Sequence, residues 1–151
     1  MSSQPSQSFD ILIVEDNPAD VRLLREALRE GPAQKRLHVA SDGMMALEFL
    51  SRQGSFAGVP VPHLILLDLN LPRRNGCEVL EEMRRQKELR AIPTIMFSSS
   101  SAPDDIERAY QAQANCFVTK PSNLDDYFAA VRHIEDFWLT TAQLPNSRSE
   151  F

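Results

Sequence analysis

The chain has 151 residues, 42% of them hydrophobic and 25% charged, the size and balance of one globular domain with a substantial core. Its formal net charge of −5 excludes the basic stripe that a nucleic-acid surface needs. No stretch approaches the roughly 20 consecutive apolar residues of a membrane span. Cys77 and Cys116 form no CxxC pair and fit small buried side chains of a reduced, cytoplasmic protein. Residues 1–8 are polar and lack the charged start and apolar core of a signal peptide, so they are expected to be a disordered tail. The folded body is expected over 9–143, with a second tail over 144–151.

Phe9 to Val14 is a short apolar run broken only by Asp10, and it ends in Glu15-Asp16-Asn17-Pro18. Asn17 suits an N-cap and Pro18 the first helical position. Val21, Leu24 and Leu28 recur at helical spacing until Gly31-Pro32 stops the helix. Leu37 to Ala40 reads as a brief strand, and Met44, Leu47, Phe49 and Leu50 mark a helix opened near Ser41-Asp42-Gly43. Residues 53–62 are loop by their Gly and Pro content. Leu64 to Leu67 then forms a continuous apolar run flanked by Pro60, Pro62 and Pro72, a strand buried on both faces as parallel sheets require.

After Asn75-Gly76, a turn, Val79, Leu80 and Met83 give a third helix with a charged outer face. Pro93 to Phe97 is the next buried strand, followed by Ser98 to Ser101, of which the last three read as plain loop. Pro103 to Gln113 is expected to be a helix and Cys116 to Thr119 a final strand ending in Lys120-Pro121. Ser122, with Asp125 three residues on, is the expected cap of a last helix from Leu124 to about Thr141. Strands and helices thus alternate five times with short connections. This predicts an α/β fold, a doubly wound, five-stranded parallel sheet of flavodoxin type, (βα)5.

An ionised acid is costly in a dry strand, which places Asp68 at the strand's carboxyl end. In a doubly wound sheet all such ends share one edge, so Glu15, Asp16, Asp68, Ser98 and Lys120 converge although they are distant in sequence. Three carboxylates in one pocket repel unless a cation offsets them, and Mg²⁺ suits an all-oxygen site that keeps several waters. A lysine beside it supplies a point charge for a phosphate. Alternatives are poorer. Leu-Ile-Leu-Leu-Asp resembles a Walker B strand, but there is no Gly-Lys pair for a P-loop and no GxGxxG. A haloacid-dehalogenase-type phosphatase would need a second Asp where Asn70 stands. His38, His63 and His133 lack ligand spacing and read as structural or surface residues.

The segments Ile-Leu-Ile-Val-Glu-Asp-Asn, Leu-Ile-Leu-Leu-Asp-Leu-Asn-Leu-Pro-Arg-Arg-Asn-Gly, Pro-Thr-Ile-Met-Phe-Ser-Ser and Val-Thr-Lys-Pro resemble the receiver domains of bacterial two-component response regulators, in the family's order and over about residues 9–140. Asp-Asn-Pro-Ala-Asp-Val-Arg-Leu-Leu and Glu-Asp-Phe-Trp-Leu further resemble the single-domain regulators paired with cyanobacterial and bacterial phytochromes. The resemblance implies that Asp68 is the phosphoacceptor, receiving a phosphoryl group from the phosphohistidine of a sensor histidine kinase. It implies that Asp16 and Asp68 hold Mg²⁺ directly with the main-chain carbonyl of Asn70, Glu15 acting partly through water, and that Lys120 pairs with the phosphoryl oxygens. Ser98 takes the position of the switch hydroxyl and Phe117 that of the switch aromatic, where a Tyr is common. Phe137 and Trp138, on a last-helix stripe wider than one sheet face requires, are expected at a homodimer interface. The chain ends about ten residues after the last helix, so the expected output is contact with an unknown downstream protein rather than DNA. The runner-up is a phosphorylation-independent adaptor with the same fold.

Overall fold

The computed structural model describes residues 8–145. Five parallel strands, β1 (Ser8–Val14), β2 (Gln34–Ala40), β3 (Leu64–Leu67), β4 (Thr94–Ser98) and β5 (Cys116–Thr119), form one sheet in the order β2-β1-β3-β4-β5. The helices α1 (Pro18–Arg29), α2 (Gly43–Ser51), α3 (Gly76–Arg85), α4 (Pro103–Gln111) and α5 (Leu124–Glu135) alternate with them. The period-two alternation of each strand divides the core into two layers. Leu12, Val14, Ile65, Leu67 and Met96 face α2, α3 and α4, whereas Ile11, Ile13, Leu64, Leu66, Ile95 and Phe97 face α1 and α5. Both faces are covered, which is why β3 can be apolar at every position. This is the expected doubly wound architecture.

The boundaries of β3 and β5 fall where the apolar runs place them, and others shift for local reasons. β1 opens at Ser8, one residue inside the expected tail; the rest of that tail, and 146–151 of the other, lie outside the described residues. Leu144, placed in the second tail, packs on the α1/α5 layer. β2 starts at Gln34 rather than Leu37, because pairing with β1 recruits the polar stretch Gln34-Lys35-Arg36. α4 ends at Gln111, and Gln113 adopts a left-handed backbone, φ 75°, which a continuing helix forbids. Asn123, not Ser122, caps α5, its side chain accepting from the Asp126 N–H at 3.0 Å. The helical path does reach Thr141, but over Asp136–Thr141 it widens into a π turn. Asn75 is the N-cap of α3, its side chain accepting from the Glu78 N–H while Glu78 accepts from the Asn75 N–H, each at 2.9 Å.

Two polar clusters lock elements together. The Asp10 carboxylate at the buried start of β1 takes Arg36 at 3.0 Å and the His38 Nε2 at 3.0 Å, both from β2. Glu135, 1% exposed at the end of α5, holds Lys35 at 2.9 Å and accepts from the Ala33 N–H at 3.1 Å.

Candidate functional site

The order β2-β1-β3 makes β1 the strand at which the winding reverses, and a crevice opens between the carboxyl ends of β1 and β3. Register sets what lines it. Val14 pairs with Leu67, so the residues that follow, Glu15 and Asp68, stand side by side. Leu67 pairs with Met96 and Ser98 with Thr119, which brings Ser98 and Lys120 to the same edge. The Lys120 N–H donates to the Ser98 carbonyl at 2.7 Å.

Carboxylate oxygens of Glu15, Asp16 and Asp68 lie within 4.8 Å of one another, with Glu15 buried, Asp16 exposed and Asp68 between. The Lys120 ammonium, its side chain 9% exposed, sits 2.6 Å from Glu15, 3.3 Å from Asp20 and 3.9 Å from Asp68. It also lies 5.8 Å from the centre of the Phe97 ring. Burial is the main cause that pushes Asp68 up to about 6 from an ordinary 3.8; Lys120 opposes that shift and the charge of Glu15 adds to it. Burial would lower Lys120, but its hydrogen bond to Glu15 and the charges of Asp68, Glu15 and Asp20 outweigh it and hold the group above its ordinary range. The pocket therefore carries more carboxylate than its one lysine balances, and its donors are all oxygen. That is the donor set of a hard divalent cation.

The surrounding loops are built to hold this edge. Asn17 donates its N–H to Glu15 at 3.0 Å, and its side chain accepts from the Ala19 N–H at 2.9 Å and the Asp20 N–H at 3.4 Å, starting α1. Gly76 opens α3 directly against the Asp68 carbonyl, where any Cβ would collide with that backbone. Asn70 is exposed two residues beyond Asp68. Ser98 is fully buried and its hydroxyl oxygen accepts from the Ser100 N–H at 3.3 Å. Phe117 is half-buried against the α2/α3/α4 layer, and its N–H donates to the Tyr110 hydroxyl at 3.1 Å.

The structure thus brings Glu15, Asp16, Asp68, Ser98 and Lys120 together. Phe137 and Trp138 lie apart from them on the π turn, in edge-to-face contact with ring centres 5.1 Å apart and with Phe137 51% exposed. Three neighbours escaped the sequence reading. Asp20 joins the lysine; its signal was an acid three residues after the Asn17 cap, in the first turn of a helix that starts at the strand ends. Ser100 is no plain loop residue, for its hydroxyl donates to Asp105 at 2.6 Å and accepts from the Ala102 N–H at 3.2 Å, while Thr119 donates to its carbonyl at 3.1 Å. Tyr127 is buried on α5 with its ring 5.5 Å from Phe97. Its hydroxyl has no hydrogen-bond partner among the described residues, and burial, with the charges of Asp20 and Glu15, keeps the proton on it.

Comparison with known proteins agrees with this geometry. Residues 11–132 match the response regulator receiver domain family. The response regulator Rcp1 of Synechocystis sp. is 42% identical over 145 residues, 96% of this chain and 99% of the relative. The crystal structure of the phosphorylated cyanobacterial phytochrome response regulator RcpA superposes with a TM-score of 0.89 at 43% identity, covering 93% of this chain and 100% of RcpA. That of the Mn(2+)-bound form of Rcp1 gives 0.87 at 43% identity, covering 91% and 99%. The protein described here belongs to the response regulator receiver domain family.

Proposed function

We propose that the protein accepts a phosphoryl group on Asp68 from the phosphohistidine of a sensor histidine kinase, and that the phosphorylated state changes which protein it contacts. One observation carries this reading. Asp68 directly follows β3, within 4.8 Å of Glu15 and Asp16 and 3.9 Å from the Lys120 ammonium, with the buried Ser98 at the neighbouring strand end. In the transfer a carboxylate oxygen of Asp68 forms a bond to phosphorus as the phosphorus–nitrogen bond breaks, and the imidazole nitrogen keeps the electron pair. Such a reaction depends on positioning and charge neutralisation. Lys120 supplies one positive charge beside the incoming oxygens. Asp16 and Asp68, the main-chain carbonyl of Asn70 and, in part through water, Glu15 would hold Mg²⁺, for which their oxygen donors fit. When bound, the ion neutralises charge on the phosphoryl group.

The aspartyl phosphate replaces one negative charge with close to two. The Ser98 hydroxyl, whose oxygen already accepts from Ser100, keeps its proton free to donate to a phosphoryl oxygen. Turning Ser98 inward draws the β4–α4 loop with it, through Ser100, and leaves room for the Phe117 ring to repack. Lacking a hydroxyl, Phe117 switches by packing alone. Phosphorylation then selects between two loop arrangements, by no more than its differential binding energy. The protein turns over no external substrate in this reading; its chemistry is its own phosphorylation and dephosphorylation, in the cytoplasm.

RcpA is a phytochrome response regulator, and its likeness over nearly the whole chain supports a phytochrome as the kinase. The exposed Phe137 beside Trp138 supports a homodimer through the last helix. The test is phosphotransfer. A phytochrome-type histidine kinase carrying labelled phosphohistidine is expected to lose its label to the wild-type protein and to keep it in the presence of Asp68→Asn. Label retained beside the wild type overturns the kinase assignment.

A further inference from the structure

The geometry points to Asp20 as a positioning residue for Lys120: a second seat for the ammonium that competes with the phosphoryl oxygens and so sets how tightly the phosphorylated state is held. The inference rests on Asp68 being the phosphoacceptor. Lys120 stands nearer to Glu15, at 2.6 Å, and to Asp20, at 3.3 Å, than to Asp68, at 3.9 Å. In this structure the lysine is hydrogen-bonded to Glu15 and Asp20, and it reaches Asp68 only as a longer ion pair.

The two seats differ in what happens to them. Glu15 belongs to the carboxylate cluster with Asp16 and Asp68, so a cation held there reduces its pull on the lysine. Asp20 is not one of those three clustered carboxylates, and it contacts Lys120 directly. Its place is fixed from below, because the Asn17 side chain accepts from the Asp20 N–H and the Asn17 N–H in turn donates to Glu15. One capping residue thus sets both seats. The lysine side chain is 9% exposed and its ammonium stands 5.8 Å from the centre of the Phe97 ring. A hydrogen bond from the ammonium to a phosphoryl group on Asp68 would compete with the one to Asp20, whose side chain is 37% exposed and can be satisfied by water in exchange.

The test is beryllofluoride binding, as a stable mimic of the phosphoryl group, measured by fluorine NMR in Mg²⁺ with wild type, Asp20→Asn and Asp20→Glu. Removing a partly exposed ion pair should tighten binding in Asp20→Asn by about two- to fivefold. Asp20→Glu, which keeps the charge within reach, should return the wild-type affinity. With Lys120 9% and Asp20 37% exposed, salt screens the pair only in part, so a reduced gain should remain in about 1 M sodium chloride, where the screening length is roughly 3 Å. Equal affinities of wild type and Asp20→Asn overturn the inference. A gain that vanishes in high salt also overturns it, by assigning the effect to the general field of the charge. Failure of the wild type itself to bind beryllofluoride overturns the phosphoacceptor reading, and this inference with it.

Discussion

Asp68 shows how one residue's environment becomes a property of the domain. Its carboxyl is raised from 3.8 to about 6, mainly by burial, so the folded state holds this proton more tightly than the unfolded chain does. The associated stabilisation is present in full below 3.8 and is lost as the pH rises through about 6. Above that, the ionised Asp68 is a standing cost, at most about 3 kcal/mol from the size of the shift and ~1–2 kcal/mol once screening by nearby water is allowed for. Asp68→Asn is therefore expected to raise the thermal midpoint of the metal-free protein at pH 8, with the advantage fading toward pH 4. Paired calorimetric scans at the two pH values check this. An Asn variant less stable than wild type at pH 8 would contradict it. Mg²⁺ should raise the wild-type midpoint at pH 8 for the same reason, and do so far less in the Asn variant.

At the scale of elements, the sequence was legible where a signal is local and silent where pairing is remote. β3 and β5 could be bounded from short apolar runs, and the start of α1 from Asn17-Pro18, because each is written in a few adjacent residues. The beginning of β2 could not, since Gln34, Lys35 and Arg36 look like surface until Asp10 and Glu135 are brought against them. On the charged outer face expected of α3, Arg84 reaches the carbonyls of Arg90, Ile92 and Gln113 and the Asn115 side chain, partners that no local pattern names. The buried Lys35–Glu135 pair joins β2 to the end of α5, with side chains 6% and 0% exposed. Lys35 also donates to the Leu28 carbonyl at 2.6 Å, but losing its carboxylate still leaves a buried charge unpaired, so Glu135→Ala should cost about 3 kcal/mol. Urea unfolding measures it, and a loss under about 1 kcal/mol would show that Lys35 finds water or another acceptor.

For the whole molecule, strand order decides function more than any single motif does. Placing β1 between β2 and β3 sets Glu15 beside Asp68, and the parallel pairing of β4 with β5 delivers Ser98 and Lys120 to the same edge. The alternation of elements makes that convergence readable from the sequence, and with it most of the candidate site. That Asp20 and Tyr127 stand next to the site was not readable, although Tyr127 belongs to the apolar stripe of the last helix, because which turn of a helix overhangs the crevice depends on packing angles that no local pattern encodes. The π turn carrying Phe137 and Trp138 is likewise a feature of the assembled end of α5. If that surface pairs two copies, light scattering after size exclusion should give a dimer that Phe137→Glu converts to a monomer. A strict wild-type monomer at high micromolar concentration would remove the dimer from the account.

The phosphoacceptor claim itself is settled most directly by intact-mass spectrometry after incubation with acetyl phosphate and Mg²⁺. One added phosphoryl group is expected on the wild type, absent when the divalent ion is chelated and absent in Asp68→Ala. An unmodified wild-type mass, or the same adduct on Asp68→Ala, would contradict it.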